Sequence, residues 1–328
     1  MSIIPKRLYA IPALASALAC LAVPGSAAAA AFPDKPITVV VPYSPGGGAD
    51  NAARIISQGL SQELKQSVVI ENKGGASGSI GAAYVARATP NGYTLLYDAS
   101  SFAINPVLRK LPYNAQKDFI PVSQAVSVPN IMVTAMNSPF TSLQSYIDAA
   151  RKAPGKYTFA SYGPGSLAQM IGELLKKETG IDIVHVPYKG GAPAIVDVMS
   201  GQVNVYFANA ASSLGYITSH KLKALAVTSA TRMKELPDVP TMSESGLKNF
   251  SVLEWNGFFA PAGTPPEVVA RLQQAIQATM KNPAIQEKLH KLGLTAVGST
   301  SAEFAAFVKS ETARWREVVK ANHISLQQ

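Results

Sequence analysis

The sequence predicts an α/β fold divided into two lobes. Three observations carry that expectation. β-branched runs alternate with segments of helical apolar spacing, the alternation occurs over residues 37–97 and again over 157–228, and a more helical stretch closes the chain. With 328 residues, 47% of them hydrophobic, there is enough chain for two medium-sized cores. Residues 1–31 read as a leader, 32–130 together with 229–328 as the first lobe, and 131–228 as the second.

The leader comes first. Lys6 and Arg7 precede an apolar run from Leu8 to Val23, and Pro24, Gly25 and an alanine-rich stretch lead on to Phe32. That is the layout of a secretory signal peptide cut just before Phe32 or a residue or two earlier, which predicts a periplasmic protein. The run is shorter than the roughly 20 apolar residues of a spanning helix, so a membrane anchor is the weaker reading. Cys20, the single cysteine, lies inside this segment and could carry lipid, but the leucine usual three residues before such a cysteine is replaced by Ala17. Cleavage near Phe32 leaves a mature chain with no cysteine, which excludes disulfides, thiolate metal sites and a cysteine nucleophile.

In the first lobe, Ile37 to Val41 is a continuous β-branched run, the pattern of a strand buried on both faces. A turn over 42–48 follows, and Asp50 is expected to precede a helix marked by Ala52, Ile56 and Leu60 and to cap it. Further strands are expected over 67–70 and 94–97, with a glycine-rich loop over 72–78 and a helix over 80–88 between them. The second lobe repeats this grammar. Strands are predicted over 157–161, 183–187, 203–207 and 224–228; one helix presents Leu167, Ile171, Leu174 and Leu175 and ends near Gly180, and another has Pro193 in its first turn. Toward the C-terminus, Thr264 to Glu267 reads as a capping box, and Thr300 with Glu303 repeats the signal before a last helix through Trp315. Such alternation implies mainly parallel sheets covered on both faces. Trp255 is read as core, with a place in the wall of a cleft as the alternative.

Loops that follow strands carry the functional expectation. Ligands of open α/β sheets sit outside the carboxyl ends of strands, where helix N-termini offer unpaired N–H groups to an anion such as a carboxylate. Glycine there lets the backbone approach closely. The candidate contacts are Tyr43, Ser44, Gly46, Gly47 and Gly48 in the first loop, Ser77 in the second, and Ser100 after the third strand. In the second lobe they are Tyr162, Gly163, Gly165, Ser166 and Gln169, then Tyr188, Gly190 and Ala192, and Asn209 at a strand end. Each loop taken alone is equally well an ordinary strand-to-helix turn; four of them divided between two lobes favour a cleft.

The residues that would carry other chemistry do not assemble. Gly163 to Ala168 fits GxGxxA, but the next strand ends at Pro187-Tyr188-Lys189 without the ribose-binding acid of a dinucleotide site. No GxSxG elbow is present, and His185, His220, His290 and His323 show no HExxH spacing. His185, within a strand, reads as structural. The net charge is +9, or +7 without Lys6 and Arg7, but the basic residues are scattered and form no nucleic-acid-binding patch. No catalytic residue, cofactor or metal is expected, and the rival readings are a periplasmic nucleotide-binding or hydrolytic enzyme.

Four stretches together, FPDKPITVVVPYSPGGGAD, ENKGGASGSIGAAYVARATPNGYTLL, VPYKGGAPAIVDVMSGQV and EWNGFFAPAGTPPEVV, resemble the substrate-binding receptors of tripartite tricarboxylate transporters, the Bug family. The resemblance spans essentially the whole mature chain. It implies a two-lobed periplasmic-binding-protein fold with a hinged ligand cleft, and a monomer that binds a di- or tricarboxylate or an aromatic acid. It implies further that loops 43–48 and 162–166 grip the ligand carboxylate, and that transporter subunits or a sensor kinase in the membrane are its partners. Many relatives carry an acid where Phe207-Ala208-Asn209 stands here, and neutral Asn209 points to a plain carboxylate or amide over an amino acid. Relatives often place a histidine soon after the serine of the second lobe; here Ser166 is followed by Leu167, Ala168 and Gln169.

Overall fold

A computed structural model describes residues 1–3, 5, 32–321 and 323–324. The predicted leader, its cleavage point and Cys20 lie outside the described residues, apart from isolated positions at the start. The described residues from Phe32 onward form one compact unit.

The chain runs through β1 (Ile37–Val41), α1 (Gly48–Leu64), β2 (Val68–Asn72), α2 (Ser79–Ala86), β3 (Thr94–Ala99), α3 (Ser101–Leu108) and the long β4 (Phe119–Ala135). It continues with α4 (Leu143–Lys152), β5 (Thr158–Ser161), α5 (Leu167–Thr179), β6 (Val184–Pro187), α6 (Gly191–Met199), β7 (Val205–Asn209), α7 (Ala210–Thr218) and β8 (Leu222–Val227). It closes with β9 (Leu253–Pro261), α8 (Pro266–Lys281), α9 (Pro283–His290), β10 (Thr295–Ala296) and α10 (Ser301–Ala321).

Two half-sheets share β4. Its first part pairs antiparallel with β9 from Phe119 to Pro129, and β9 continues through β3 and β1 to β2. Its second part, from Asn130 onward, pairs with β7 on one side and β8 on the other, and β7 leads to β5 and β6. The chain therefore crosses between the half-sheets within β4 and returns between β8 and β9. The two crossings touch: Asn130 N donates to Thr228 Oγ1 and Thr228 N donates to Asn130 O, each at 2.9 Å.

β1 is apolar on both faces because helices cover both sides, so Val39, Val40 and Val41 are fully buried. The expectation of mainly parallel sheets needs correction. Only β1, β2, β3 and β5, β6, β7 pair parallel, while β4, β8, β9 and β10 pair antiparallel. The antiparallel partners are not sequence neighbours, so no turn signal announces them. A second correction concerns Thr264, whose hydroxyl donates back to Pro261 O at 2.8 Å; α8 opens instead on Pro265 with Pro266 as its first residue and no side-chain cap. The Thr300–Glu303 box does form, with Glu303 N donating to Thr300 Oγ1 at 3.2 Å and Thr300 N to Glu303 Oε2 at 2.8 Å. Trp255 is core: 1% exposed, it packs edge-on against Phe304 and Phe307.

Candidate ligand cleft

The carboxyl ends of β1, β3, β5 and β7 converge, and with them come the N-termini of α1 and α6. A small cavity lies there, lined by Tyr43, Gly47, Gly48, Ala49, Ala99, Tyr162, Gly191, Tyr206, Asn209, Glu254 and Asn256.

α1 starts three residues earlier than a cap at Asp50 would place it. Gly47 is its N-cap, without a side-chain hydrogen bond, which leaves the first-turn N–H groups open. Asp50 sits inside the first turn and tethers the preceding loop: its Oδ2 accepts from Gly46 N and Arg54 Nε, and its Oδ1 from Asn72 Nδ2, each at 2.9 Å. Although burial raises its pKa, the Arg54, Gly46 and Asn72 donors together hold it below the usual carboxylate value. α6 opens the same way on Gly190, again with no side-chain cap. Two helix N-termini, one from each half-sheet, thus face the cavity with free donors and positive dipole ends. Tyr206 OH, buried without a partner, adds a donor close to Gly191. Asn209 caps α7 through its side-chain Oδ1, which accepts from Ala211 N at 3.0 Å.

Glycine is required by contact between the halves. A Cβ on Gly48 would lie 2.5 Å from Asn209 Oδ1. Gly165 is required by conformation as well, with φ at +82° and Asn105 Oδ1 in the space a Cβ would take.

Opposite the helix N-termini stands a wall of carboxyls and tyrosines. Asp98 and Glu254 are each 1% exposed. Tyr43 OH donates to Asp98 Oδ1 at 2.7 Å, and Tyr162 OH donates to Glu254 Oε2 at 2.6 Å. The two tyrosine rings meet edge-to-face at 5.8 Å. Burial pushes both carboxyls up to about 7, against the lowering effect of their tyrosine and backbone donors. Burial likewise raises the hydroxyls of Tyr43 and Tyr162 well above the usual phenol range.

Of the residues singled out in the sequence, Tyr43, Gly47, Gly48, Tyr162 and Asn209 line the cavity. The others stand around it. Ser44 packs against Gly190, and Gly46 against Ala192, where the first and fourth loops meet. Ser77 lies against Gly163 in a left-handed conformation. Ser100 N donates to Glu254 Oε1 at 3.3 Å while its hydroxyl accepts from Trp255 N at 3.1 Å. Ser166 caps α5 by accepting from Gln169 N, and Gln169 Oε1 accepts from Gly165 N at 2.7 Å. Tyr188 OH donates to Asp197 Oδ2 at 2.6 Å. His185 stacks on Phe159 with its Nε2 2.7 Å from Ser161 Oγ, and burial depresses its pKa to about 4, leaving it neutral.

The model of the tripartite tricarboxylate transporter family receptor matches residues 52–324. The chain belongs to this receptor family. Protein BugT of Bordetella pertussis is 35% identical over 324 residues, which cover 98% of this chain and 99% of BugT. Among solved structures, the periplasmic binding protein BugD aligns with a TM-score of 0.87 at 36% identity, over 90% of this chain and 100% of that one. An R. palustris protein with adipate aligns with a TM-score of 0.87 at 33% identity, over 90% of this chain and 99% of that one. The receptor shares with them the two-lobed α/β fold of periplasmic binding proteins.

Glu254, Asn256, Asp98 and Tyr206 were not anticipated as part of the receptor's cleft. One signal for them was present: Asp98 and Glu254 are acids within otherwise apolar strand runs, LLYDA and LEWNGFFAP. An acid at such a position must find partners or a function. Which partners it finds depends on β9 pairing with β3 and β4, which short-range pattern does not contain.

Proposed function

We propose that this receptor captures a small organic carboxylate in the cleft between its lobes, releases it chemically unchanged, and delivers it to a tripartite tricarboxylate-type transporter or a sensor in the bacterial membrane. The observation that carries the reading is the meeting of the α1 and α6 N-termini, one from each half-sheet, on a single cavity. A carboxylate placed there accepts from open backbone N–H groups of both helices and so rewards closure of the lobes. The adipate bound to the R. palustris relative supports the ligand class. The lining residues include no Ser, Cys, His or Lys, which favours a receptor over an enzyme. The lobes are 32–130 with 229–328, and 131–228, hinged where Asn130 and Thr228 cross. Protein made with its leader should reach the periplasm and begin near Phe32; a mature chain starting at a lipid-modified Cys20 would refute that site of cleavage.

The test is calorimetry on refolded, ligand-stripped protein against mono-, di- and tricarboxylates, aromatic acids and amino acids. A ligand at about 100 times its dissociation constant should raise stability by about 2.7 kcal/mol. Solution scattering should show contraction on binding, with the compound recovered intact. Turnover of the bound compound would overturn the receptor reading.

A further inference from the structure

A second pocket, of about 720 Å³, lies between α10, the end of α3 and the start of β4, and shares no lining residue with the cleft. Its walls are largely apolar. Phe102 and Phe119, 1% and 4% exposed, meet edge-on at 5.2 Å, and Tyr113 packs edge-on against Phe119 at 5.6 Å. α10 contributes Ala305, Val308, Lys309, Thr312 and Arg316, which share one helix face because they recur at helical spacing. Arg109, Lys110, Lys309 and Arg316 line the pocket, and no Asp or Glu does. None of these four cations forms an ion pair among the described residues, whereas Arg314 on the same helix pairs with Glu311 at 3.2 Å. Arg109 is held through Nη2, which donates to Ala76 O and Asn105 Oδ1 at 2.6 Å, while its Nε is buried without an acceptor. Tyr113 OH, close enough to feel the Arg109 charge, is also buried without a partner, and burial raises its pKa so that it stays a donor.

We propose that this pocket is a second ligand site, separate from the cleft, for an amphiphilic anion: a hydrocarbon body on the Phe102, Phe119 and Val308 surface and an acidic head among the four cations. The proposal does not depend on what the cleft binds. A concave apolar pocket of this volume with a few convergent polar groups has the build of a small-molecule site. Four like charges around it repel one another, and an anion relieves that repulsion. Donors buried without acceptors mark the Arg109–Tyr113 side as a place where the protein supplies no acceptor of its own. A guanidinium already fixed through Nη2 loses little further freedom when an anion approaches it. Apolar contact supplies the binding free energy of the body, and the cations select the sign of the head. Because Lys110, Lys309 and Arg316 are exposed, the charge contribution should weaken as salt rises.

The experiment is calorimetry at low ionic strength with octanoate, compared with propionate, which has the head without the body, and with 1-octanol, which has the body without the charge. Octanoate should bind about tenfold or more tighter than either. The double variant Lys309→Glu, Arg316→Glu, on an exposed helix face, should weaken octanoate at least about tenfold, while Gly48→Ala in the cleft leaves it unchanged. The comparison of the three ligands on the unaltered protein stands even if the double variant folds poorly. Octanoate binding that survives the double variant but is lost in Gly48→Ala places the ligand in the cleft and overturns the proposal. Equal binding of 1-octanol overturns it, because the cations then select nothing. Tighter binding of a hexaglutamate peptide than of octanoate makes the basic rim a surface for an acidic protein segment and overturns it too. So does the absence of octanoate binding at millimolar concentration.

Discussion

Asp98 and Glu254 are held out of water with only hydroxyls and backbone N–H groups as donors, and their raised pKa values make stability depend on pH. Below about pH 4 the folded and unfolded chains both hold these protons, and the contribution is fully present. Between about 4 and about 7 the unfolded chain releases them while the folded chain keeps them, so stability falls as pH rises through the window and is lost above it. Shifts of that size correspond to on the order of 3 to 4 kcal/mol per carboxyl. Chemical denaturation of the ligand-free protein as a function of pH should show this decline, and Asp98→Asn or Glu254→Gln should flatten it. An unchanged slope in both variants would mean that other groups dominate. Gly48 makes a second prediction at the same scale. Its replacement by Ala drives a methyl group into Asn209 when the lobes meet, so affinity should drop on the order of tenfold or more while circular dichroism stays unchanged. Normal affinity in Gly48→Ala would show that Asn209 swings aside freely.

Helix caps separate stability from recognition. Ser166 was a candidate for direct ligand contact, yet its hydroxyl closes the first turn of α5 and does not line the cavity. Ser166→Ala should therefore lower stability by about 1 kcal/mol, as loss of a cap does, and change affinity less than about threefold. A large loss of affinity with little loss of stability would place the hydroxyl on the ligand after all. The loop before α2 shows another division of labour. Ala76 and Ser77 both take positive φ, +46° and +48°, which is strained for residues with a Cβ. Asn105, in α3, donates to Ser77 O at 2.8 Å, and Arg109, just past the helix, donates to Ala76 O at 2.6 Å, so α3 braces the loop.

At the scale of the molecule, Arg109 reaches beyond that brace. Its Nη2 also donates to Pro164 O at 3.1 Å, joining a first-lobe helix to the third loop in the second lobe. Asn51 does the same on the other side of the cleft, with Nδ2 donating to Ala211 O at 3.0 Å. If the lobes part as proposed, these bonds break, so they oppose opening. Arg109→Ala should speed ligand dissociation on the order of tenfold, the worth of one charge-assisted hydrogen bond, with little change in the association rate. Stopped-flow displacement would measure both; a slowed association with an unchanged dissociation would assign Arg109 to ligand entry instead. The hinge is the natural counterpart, since β4 and the segment between β8 and β9 cross between the half-sheets and hydrogen-bond each other at Asn130 and Thr228.

Patterns written within a dozen residues were legible from sequence alone. The β-branched run of β1, the apolar spacing of α1 and α5, the glycine-rich turns before α1, α5 and α6, and the Thr300–Glu303 box each depend on neighbours in the chain, so local sterics and hydrogen bonding determine them. The family resemblance was legible for the same reason, because its motifs are those turns. The chain could not by itself disclose that β9 lies between β3 and β4, that Glu254 meets Tyr162 across 92 residues, or that Gly48 abuts Asn209. Those contacts come from strand pairing and lobe closure, whose free energy is summed over the whole molecule, and they decided which of the candidate residues face the cavity and which merely hold its walls.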